Sequence, residues 1–569
     1  MLNFLTGSLL VLSFYYGWLI VYSHASKRTT FCVGFIVFIS YFLGFTIITL
    51  IPYDIYLRYT RNKVGSPHDD IAVMRPLWVW LYWISFALGW LVLPLIKEYI
   101  DSGDFSFSSK LRTAFYRLTK SMILVFGLGL ALVIYLLMQN HFIFETLSIF
   151  FIILNNCTGL FMIIILLGFG LVNVPQLFWK LGNTEKYLKD LYSQATILEQ
   201  QLLQSNKNLD ETLKLMIAAS HQIPDASPLK PCLDMILSRC PEEKIEENRS
   251  FVSEETRNQF GNLPEKRLSE INYDIKKEID ELERVKYKYN SLIEKAMFLE
   301  DITNSYNSTQ KKVISYMIPQ RGGSYIKVKE FFEWIWLTRF RPIVYRLLGI
   351  LFAIMSVCVV LEEITIWHNK PILIFRFPME RDLGVYWIQA IIFIPLIYII
   401  ACTYFAFSNI KLENFYGLYA HNNTDPSNLI WNASMMLKLV TPLSYNFYMF
   451  MKFKKCEFFQ IMRAANFVPI LGKDFGMYFP SLLLILCLLN YFNLYEKMIV
   501  ALRIRQLSFT DKYSADRILE GASIIQNERE AREKDFGLSS SSAIEIVNND
   551  MQKTEGFDEN PKKFDRLYD

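Results

Sequence analysis

No H-E-x-x-H, no G-x-x-x-x-G-K and no G-x-S-x-G occurs in this chain of 569 residues. Zinc proteolysis, a P-loop phosphate cradle and a serine elbow are thus without support. The eight cysteines are scattered and make no disulfide framework. Cys232 and Cys240 are the one pair worth weighing. As helix positions eight apart they would stand about 12 Å apart along the axis, too far to bridge. They read as small apolar groups, and His221 alone cannot complete a metal site around them. Proteolysis inside a bilayer needs two aspartates sharing a proton. Asp54 after Tyr53 and Asp474 after Gly472-Lys473 are the available pair, but both fall at the edges of apolar runs, where capping carboxylates belong. No catalytic residue, cofactor fingerprint or metal site emerges, so the chain is expected not to be an enzyme. A net charge of +4 gives no reason to expect nucleic acid. Charge is also missing before Lys27. A cleaved signal peptide wants positive charge ahead of its apolar run. Here Lys27 and Arg28 follow the run, so residues 2–22 read as a retained span with the N-terminus outside.

What the chain has in quantity is apolar sequence, 52% of all residues, gathered into long runs. Runs of about 20 apolar residues are long enough to cross a hydrocarbon core as helices. The runs predict an all-α membrane protein of about nine transmembrane helices. Five belong to an N-terminal membrane block, 1–181: 2–22, 31–51, 76–96, 121–138 and 147–172. Four belong to a C-terminal block, 343–497: 343–361, 384–407, 428–450 and 475–495. Lysine and arginine gather on one set of span ends, which places the insert between the blocks and the tail 498–569 in the cytosol. The basic loop 451–474 runs against that bias if the eighth span is a true crossing. Two stretches, 106–120 and 331–340, mix aromatic with basic side chains and suit the headgroup layer as surface helices. The tail is expected to be largely disordered, with one helix near 516–534.

The insert, 182–342, is charged and heptad-patterned. Leu188, Leu191, Ala195, Leu198, Leu202, Ser205, Leu209, Thr212 and Met216 alternate by three and four. So do Leu268, Ile271, Ile275, Glu278, Leu282, Val285, Tyr289, Leu292, Ala296 and Leu299, with Glu278 the one fault. Pro224, Pro228, Pro231, Pro241 and Pro264 separate the two seams, and prolines end helices. The pattern predicts an antiparallel coiled-coil hairpin with arms 184–217 and 265–301. Each arm of roughly 33 residues would reach about 50 Å and stand clear of the membrane.

Polar groups inside the spans are the leading site candidates. Lys438 lies in the middle of the eighth span, where a lysine costs about 2.5–3.5 kcal/mol on insertion scales and must face protein or water. Asn432, Thr441 and Asn446 share its helix, and Asn155 and Asn156 form a second cluster in the fifth span. Such residues either bond helix to helix or line a solute or lipid pathway. Glu362 and Glu363 fall at the outer interface, as a solvated helix end would.

Several motifs occur together in one order. They are Leu50-Ile51-Pro52-Tyr53-Asp54, Gly103-Asp104-Phe105-Ser106, and the run from Leu167 to Trp179 with Gly168, Gly170 and Pro175. They continue with Pro228-Leu229-Lys230-Pro231-Cys232, Arg239-Cys240-Pro241 and Ala296-Met297-Phe298-Leu299-Glu300-Asp301. His421 to Asp425, Leu439-Val440-Thr441-Pro442-Leu443 and the stretch from Asp474 to Pro480 complete the set. Over most of residues 1–500 the chain resembles the lipocalin-interacting membrane receptor, or limb-region, family, and within it the limb-region-domain-containing protein type two subgroup. The resemblance implies nine spans and a long intracellular loop. Members are described as lipocalin receptors, as a lysosomal protein aiding cobalamin export, and as modulators of signalling through G-protein-coupled receptors. It implies a receptor, escort or adaptor acting with the bilayer and with cytosolic or membrane proteins, and no reaction. The alternative is a transporter or lipid-handling protein with its site between spans five and eight.

Overall fold

Long apolar runs fold as single helices here, and Pro52, Pro175, Pro395 and Pro442 lie inside such helices. The computed structural model describes residues 4–64, 70–138, 144–224, 226–249, 264–315, 318, 325–365, 374–375, 387–409, 417–463, 481–492, 494 and 515–535. Among these residues every regular element is a helix, and the only bridge is an isolated one between Ala25 and Thr424. In chain order they are α1 Phe4–His24, α2 Phe31–Val64, α3 Asp70–Ala87, α4 Leu93–Asp101, α5 Phe107–Met138 and α6 Phe144–Leu181. The insert holds α7 Thr184–Gln222, α8 Lys230–Leu237, α9 Glu242–Arg249 and α10 Glu265–Asn304. Then come α11 Ile326–Ile335, α12 Arg341–Thr365, α13 Trp387–Asn409, α14 Pro426–Phe450, α15 Glu457–Arg463, α16 Leu482–Tyr491 and α17 Ala515–Asp535.

Six helical segments among the described residues are long and apolar enough to cross a membrane: Leu5–His24, Phe31–Thr60, Val73–Asp101, Phe151–Leu181, Lys327–Thr365 and Trp387–Asn409. The predicted surface helix 106–120 and span 121–138 are one unbroken helix, α5, over Phe107–Met138. The predicted surface helix 331–340 likewise runs on into α12. Widened π-helical turns join α3 to α4 at Leu88–Val92 and α11 to α12 at Trp336–Phe340. Each ends two residues before a proline, Pro94 or Pro342. Proline lacks an N–H and its ring collides with the carbonyl four residues back, and a wider turn relieves both faults without ending the helix. Of the predicted ninth span, α16 lies within the described residues; Asp474 lies outside them.

The chain divides into two compact units. The first gathers Met1–Leu177, Leu203–Tyr287 and Gly349–Ser508. At its centre is α14, buried along almost its whole length. Glycines let neighbouring helices approach it. A Cβ on Gly159 of α6 would come within 2.2 Å of the Pro442 ring, and one on Gly44 of α2 within 2.8 Å of Met436. Trp431 stacks on Phe407 of α13 with centroids 4.8 Å apart. The tip of the insert belongs to this unit. Leu209, Leu213 and Met216 of α7 pack with Leu268, Ile271 and Ile275 of α10 and with Leu233 and Ile236 of α8.

That tip does not stand clear of the membrane-block helices: it lies against their ends. The Asn272 amide donates to the Gly103 carbonyl at 2.6 Å, the Ser269 hydroxyl to Asp104 at 2.7 Å, and the Lys276 amine to the Ser102 carbonyl at 2.8 Å. Arg28 reaches Asp280 at 3.3 Å and Glu283 at 2.6 Å, and Tyr287 meets Tyr419 edge-on. The physical reason is a complementary polar face on α10 together with Gly103, where a Cβ would fall 2.0 Å from the Ser269 carbonyl oxygen. Only glycine admits so close an approach.

The second unit gathers Phe178–Leu202, Lys288–Leu348 and Phe509–Asp569. Leu191 and Ala195 of α7 pack with Leu292, Ala296 and Leu299 of α10, and Ile524 and Ile525 of α17 join the same core. The helix expected near 516–534 is therefore a packed element. Gly521 sits so close to α7 that a Cβ would meet the Tyr192 carbonyl oxygen at 1.9 Å. Arg529 clamps α17 to the end of α10, donating to Asp301 at 2.7 Å and Glu300 at 2.9 Å.

Candidate functional site

The polar residues of α14 face several different neighbours, since successive positions of a helix turn through about 100°. Lys438 lays its amine 4.8 Å from the centroid of the Trp90 indole, a cation–π contact with the π turn at Leu88–Val92. Trp90 Nε1 donates to Asn155 Oδ1 at 2.8 Å, and Asn155 Nδ2 donates to Thr441 Oγ1 at 3.1 Å. The Ser434 hydroxyl donates to the Gly89 carbonyl at 2.7 Å. Lys438, Trp90, Asn155 and Thr441 thus form one connected cluster across α14, α6 and the π turn. No carboxylate stands within ion-pair distance of Lys438 among the described residues.

The other predicted site residues lie apart from this cluster. The Asn432 amide donates to the Asn428 carbonyl on its own helix. Asn446 Nδ2 donates to Glu363 Oε1 at 2.7 Å. Asn156 is buried, and neither polar atom of its side chain finds a hydrogen-bond partner among the described residues. Glu362 and Glu363 are not a solvated helix end: they are 2% and 1% exposed, and Glu362 accepts the Phe375 N–H at 2.7 Å. The helix curls these carboxylates inward because Asn446 and the turn at 374–375 offer donors there. Trp90 escaped the sequence because an indole in an apolar run looks like core. The signal that could have found it is the nearby Gly89 and Pro94, which announce an irregular turn.

Asp54, weighed above as half of an aspartyl pair, is a cap. It accepts the Tyr448 hydroxyl at 3.0 Å and the Glu457 and Phe458 N–H groups at the start of α15. The first turn of α14 lies at the opposite end of that helix, where Ser427 donates to Asp101 at 2.9 Å.

Beside that first turn is a cavity of about 780 Å³. It is enclosed by the α1–α2 loop at Arg28, the end of α4 at Ile100 and Asp101, the start of α14 at Asp425–Asn428, and the α10 face from Asn272 to Arg284, with Ser238 and Arg239 from the tip. Its electrostatics are mixed. Partial burial, with Asp425 close by, pushes the Asp280 carboxyl up to about 7 despite Arg28, although the side chain is 42% exposed. Burial also lifts Asp425, against the Asn428 N–H that caps it. Burial and the neighbouring cations Arg239 and Lys110 bring the Lys276 amine down to about 8. Burial works against the Asp104 charge too, but the hydroxyls of Thr113, Ser269 and Ser102 outweigh it and hold that carboxyl below its usual range. No group of three or more potential metal ligands occurs among the described residues.

A family sequence model described as LMBR1-like membrane protein matches residues 1–495. The G-protein coupled receptor-associated protein LMBRD2 of Homo sapiens is 26% identical over 510 residues, covering 84% of this chain and 73% of that one. LMBRD2B of Danio rerio, carrying the same receptor-associated description, is 27% identical over 504 residues, with 84% and 71% covered. The LMBR1 domain-containing protein 2 homolog A of Dictyostelium discoideum is 28% identical over 457 residues, with 79% and 61% covered. No solved structure matches.

Proposed function

Because this chain belongs to the LMBR1-like membrane protein family, we propose that it is a multi-pass adaptor that associates with G-protein-coupled receptors and recruits cytosolic proteins through its helical insert. The observation that carries this is the docking of the insert's tip on the span ends through Arg28, Gly103, Asp104 and Tyr419. A partner bound to α8 or α9 is thereby coupled to the packing of α2, α4 and α14. In the proposed topology, α1, α2, α3–α4, α5 and α6 cross before a cytosolic coiled-coil hairpin, and four spans cross after it, α14 among them. In favour of α14 as a crossing, its two ends reach Asp101 and Asp54, at opposite ends of the α2 to α4 layer. Its polar residues keep its hydropathy low, yet Ser434, Thr441 and Asn446 bond to neighbouring helices, and Asn432 and Ser444 bond within the helix. The N-terminus lies outside and the tail inside.

The transporter alternative draws on Lys438, which has no carboxylate within ion-pair distance among the described residues, and on Asn156, whose side chain has no hydrogen-bond partner among them. Crosslinking of the full chain to co-expressed seven-helix receptors separates the two. Charge reversal on the exposed acidic face of α9, Glu243→Lys with Glu246→Lys, is expected to cut recruitment of cytosolic partners severalfold, and Lys438→Leu is expected to leave it intact. Loss of recruitment with Lys438→Leu alone, in a chain that still reaches the membrane, would overturn the adaptor in favour of a pathway through the spans.

A further inference from the structure

We propose that the cavity between the insert's tip and the span ends is a binding site for a phosphate monoester, in which Arg239 and Lys276 take the phosphate. The carboxylates of its lining are already engaged. Asp101 accepts from Lys97 at 2.9 Å and from Ser427, Asp280 pairs with Arg28, Glu281 pairs with Arg284 at 3.0 Å, and Asp425 caps Asn428. Arg239 and Lys276 have no carboxylate within ion-pair distance among the described residues, and they face the same space. Lys110 adds a third positive field at the Lys276 amine, opposed there by the fields of Asp101 and Asp280. Like charges gathered in a partly enclosed space repel unless an anion lies between them. The Lys276 ammonium gives one N–H to the Ser102 carbonyl, which leaves two N–H donors for a ligand. Arg239 offers the planar fork that grips two phosphate oxygens at once. Two surplus cations match the dianion of a monoester better than the single charge of a phosphodiester.

Size and position narrow the ligand. A volume of about 780 Å³ suits a phosphorylated sugar or inositol ring. Ile100, Ile275 and Ile279 give the cavity an apolar side. Helices apolar enough to span end at His24 and Asp101 and begin at Phe31 around it, and as crossings they would set it at headgroup depth. The monoester can therefore belong to a phosphorylated lipid headgroup or to a soluble inositol phosphate. Either would tie Arg239 of the tip to α10 and strengthen the docking described above. This inference does not depend on the adaptor role.

The test uses the full chain in phosphatidylcholine nanodiscs. Three arms carry phosphatidylinositol bisphosphate, phosphatidylserine, or no charged lipid with soluble inositol trisphosphate added. The readouts are binding and hydrogen-exchange protection over 268–284. Protection is expected in the first or third arm, which identifies the lipid or the soluble source, and not with phosphatidylserine. Arg239→Gln, on an exposed turn, is expected to weaken binding about tenfold, as loss of a charge-assisted contact does. Lys276→Gln should weaken it similarly, and Lys455→Gln, at the opposite end of α14, should not. Equal binding to phosphatidylserine, no binding in any arm, or binding indifferent to Arg239→Gln would overturn the site.

Discussion

Asn155 shows how one side chain can serve two helices. Its carbonyl oxygen takes the Trp90 N–H and its amide gives to Thr441. Asn155→Leu keeps the volume and removes both bonds, leaving the half-buried indole N–H without its acceptor. Hydrogen bonds between membrane helices average under 1 kcal/mol, so the expected loss is about 1–2 kcal/mol, read as a lower midpoint in thermal unfolding of the detergent-solubilised chain. Thr441→Val removes only the second bond and should cost about half as much. At this scale the sequence was partly legible. Lys438, Asn155 and Thr441 stood out because polar atoms inside an apolar run demand a partner. Which partner they take depends on the rotation of each helix, and a π turn resets that rotation, so Trp90 could not be read from spacing. Asn432 and Asn446 stood out for the same reason, but they point elsewhere.

Helix α17 is held by few residues. Its apolar contribution comes from Ile524 and Ile525, adjacent positions that make no stripe, which is why periodicity gave only a weak signal for it. Arg529 supplies the specificity, bonded to Asp301, Glu300 and the Met297 carbonyl. Asp301 is 7% exposed, so Arg529→Gln strands a buried carboxylate. The expected cost is about 2–3 kcal/mol, seen as faster hydrogen exchange through 515–535. The two long helices of the insert, α7 and α10, were legible for the opposite reason. Their seams repeat over many turns, and Leu191, Ala195, Leu209, Leu268, Ile271, Ile275 and Leu292 are indeed buried. What the seams could not tell is where the polar face of α10 goes, because a polar face suits water and a polar partner equally well. Helix α14 is the converse case. The predicted span 428–450 is not among the six segments apolar enough to cross, and the polar positions that lower its hydropathy belong to the helix that the others surround.

For the molecule as a whole, docking of the tip is expected to depend on pH. The groups facing Asp280 are Arg28, Glu283, Asp101, Asp425 and Lys276. A carboxyl whose folded value is raised from about 4 to about 7 favours the docked state when protonated. Its contribution is full below pH 4 and is lost as pH rises through 7. Asp425 acts in the same sense. Lys276, lowered to about 8, acts oppositely, but its contribution returns only above pH 8. Between pH 5 and pH 7.5 the tip should therefore loosen, measured as hydrogen exchange over 268–284 after correction for the intrinsic rate. Asp280→Asn should flatten that dependence. Tightening across the same interval would show that the Arg28 pair governs docking.

The tip's contacts also impose an order on biosynthesis. Asn272, Ser269 and Lys276 bond to residues 102–104, so that part of the face needs only chain that has already left the ribosome. Tyr287 meets Tyr419, which emerges more than a hundred residues later, roughly ten seconds at ordinary elongation rates. During that interval the half-made protein holds a strapped-down arm with its second anchor missing. The first turn of α14 must then slide in beside Asp101 and Arg28, beneath an arm already in place. A slow codon or a membrane chaperone acting between residues 300 and 420 would lengthen the time in which that opening is free.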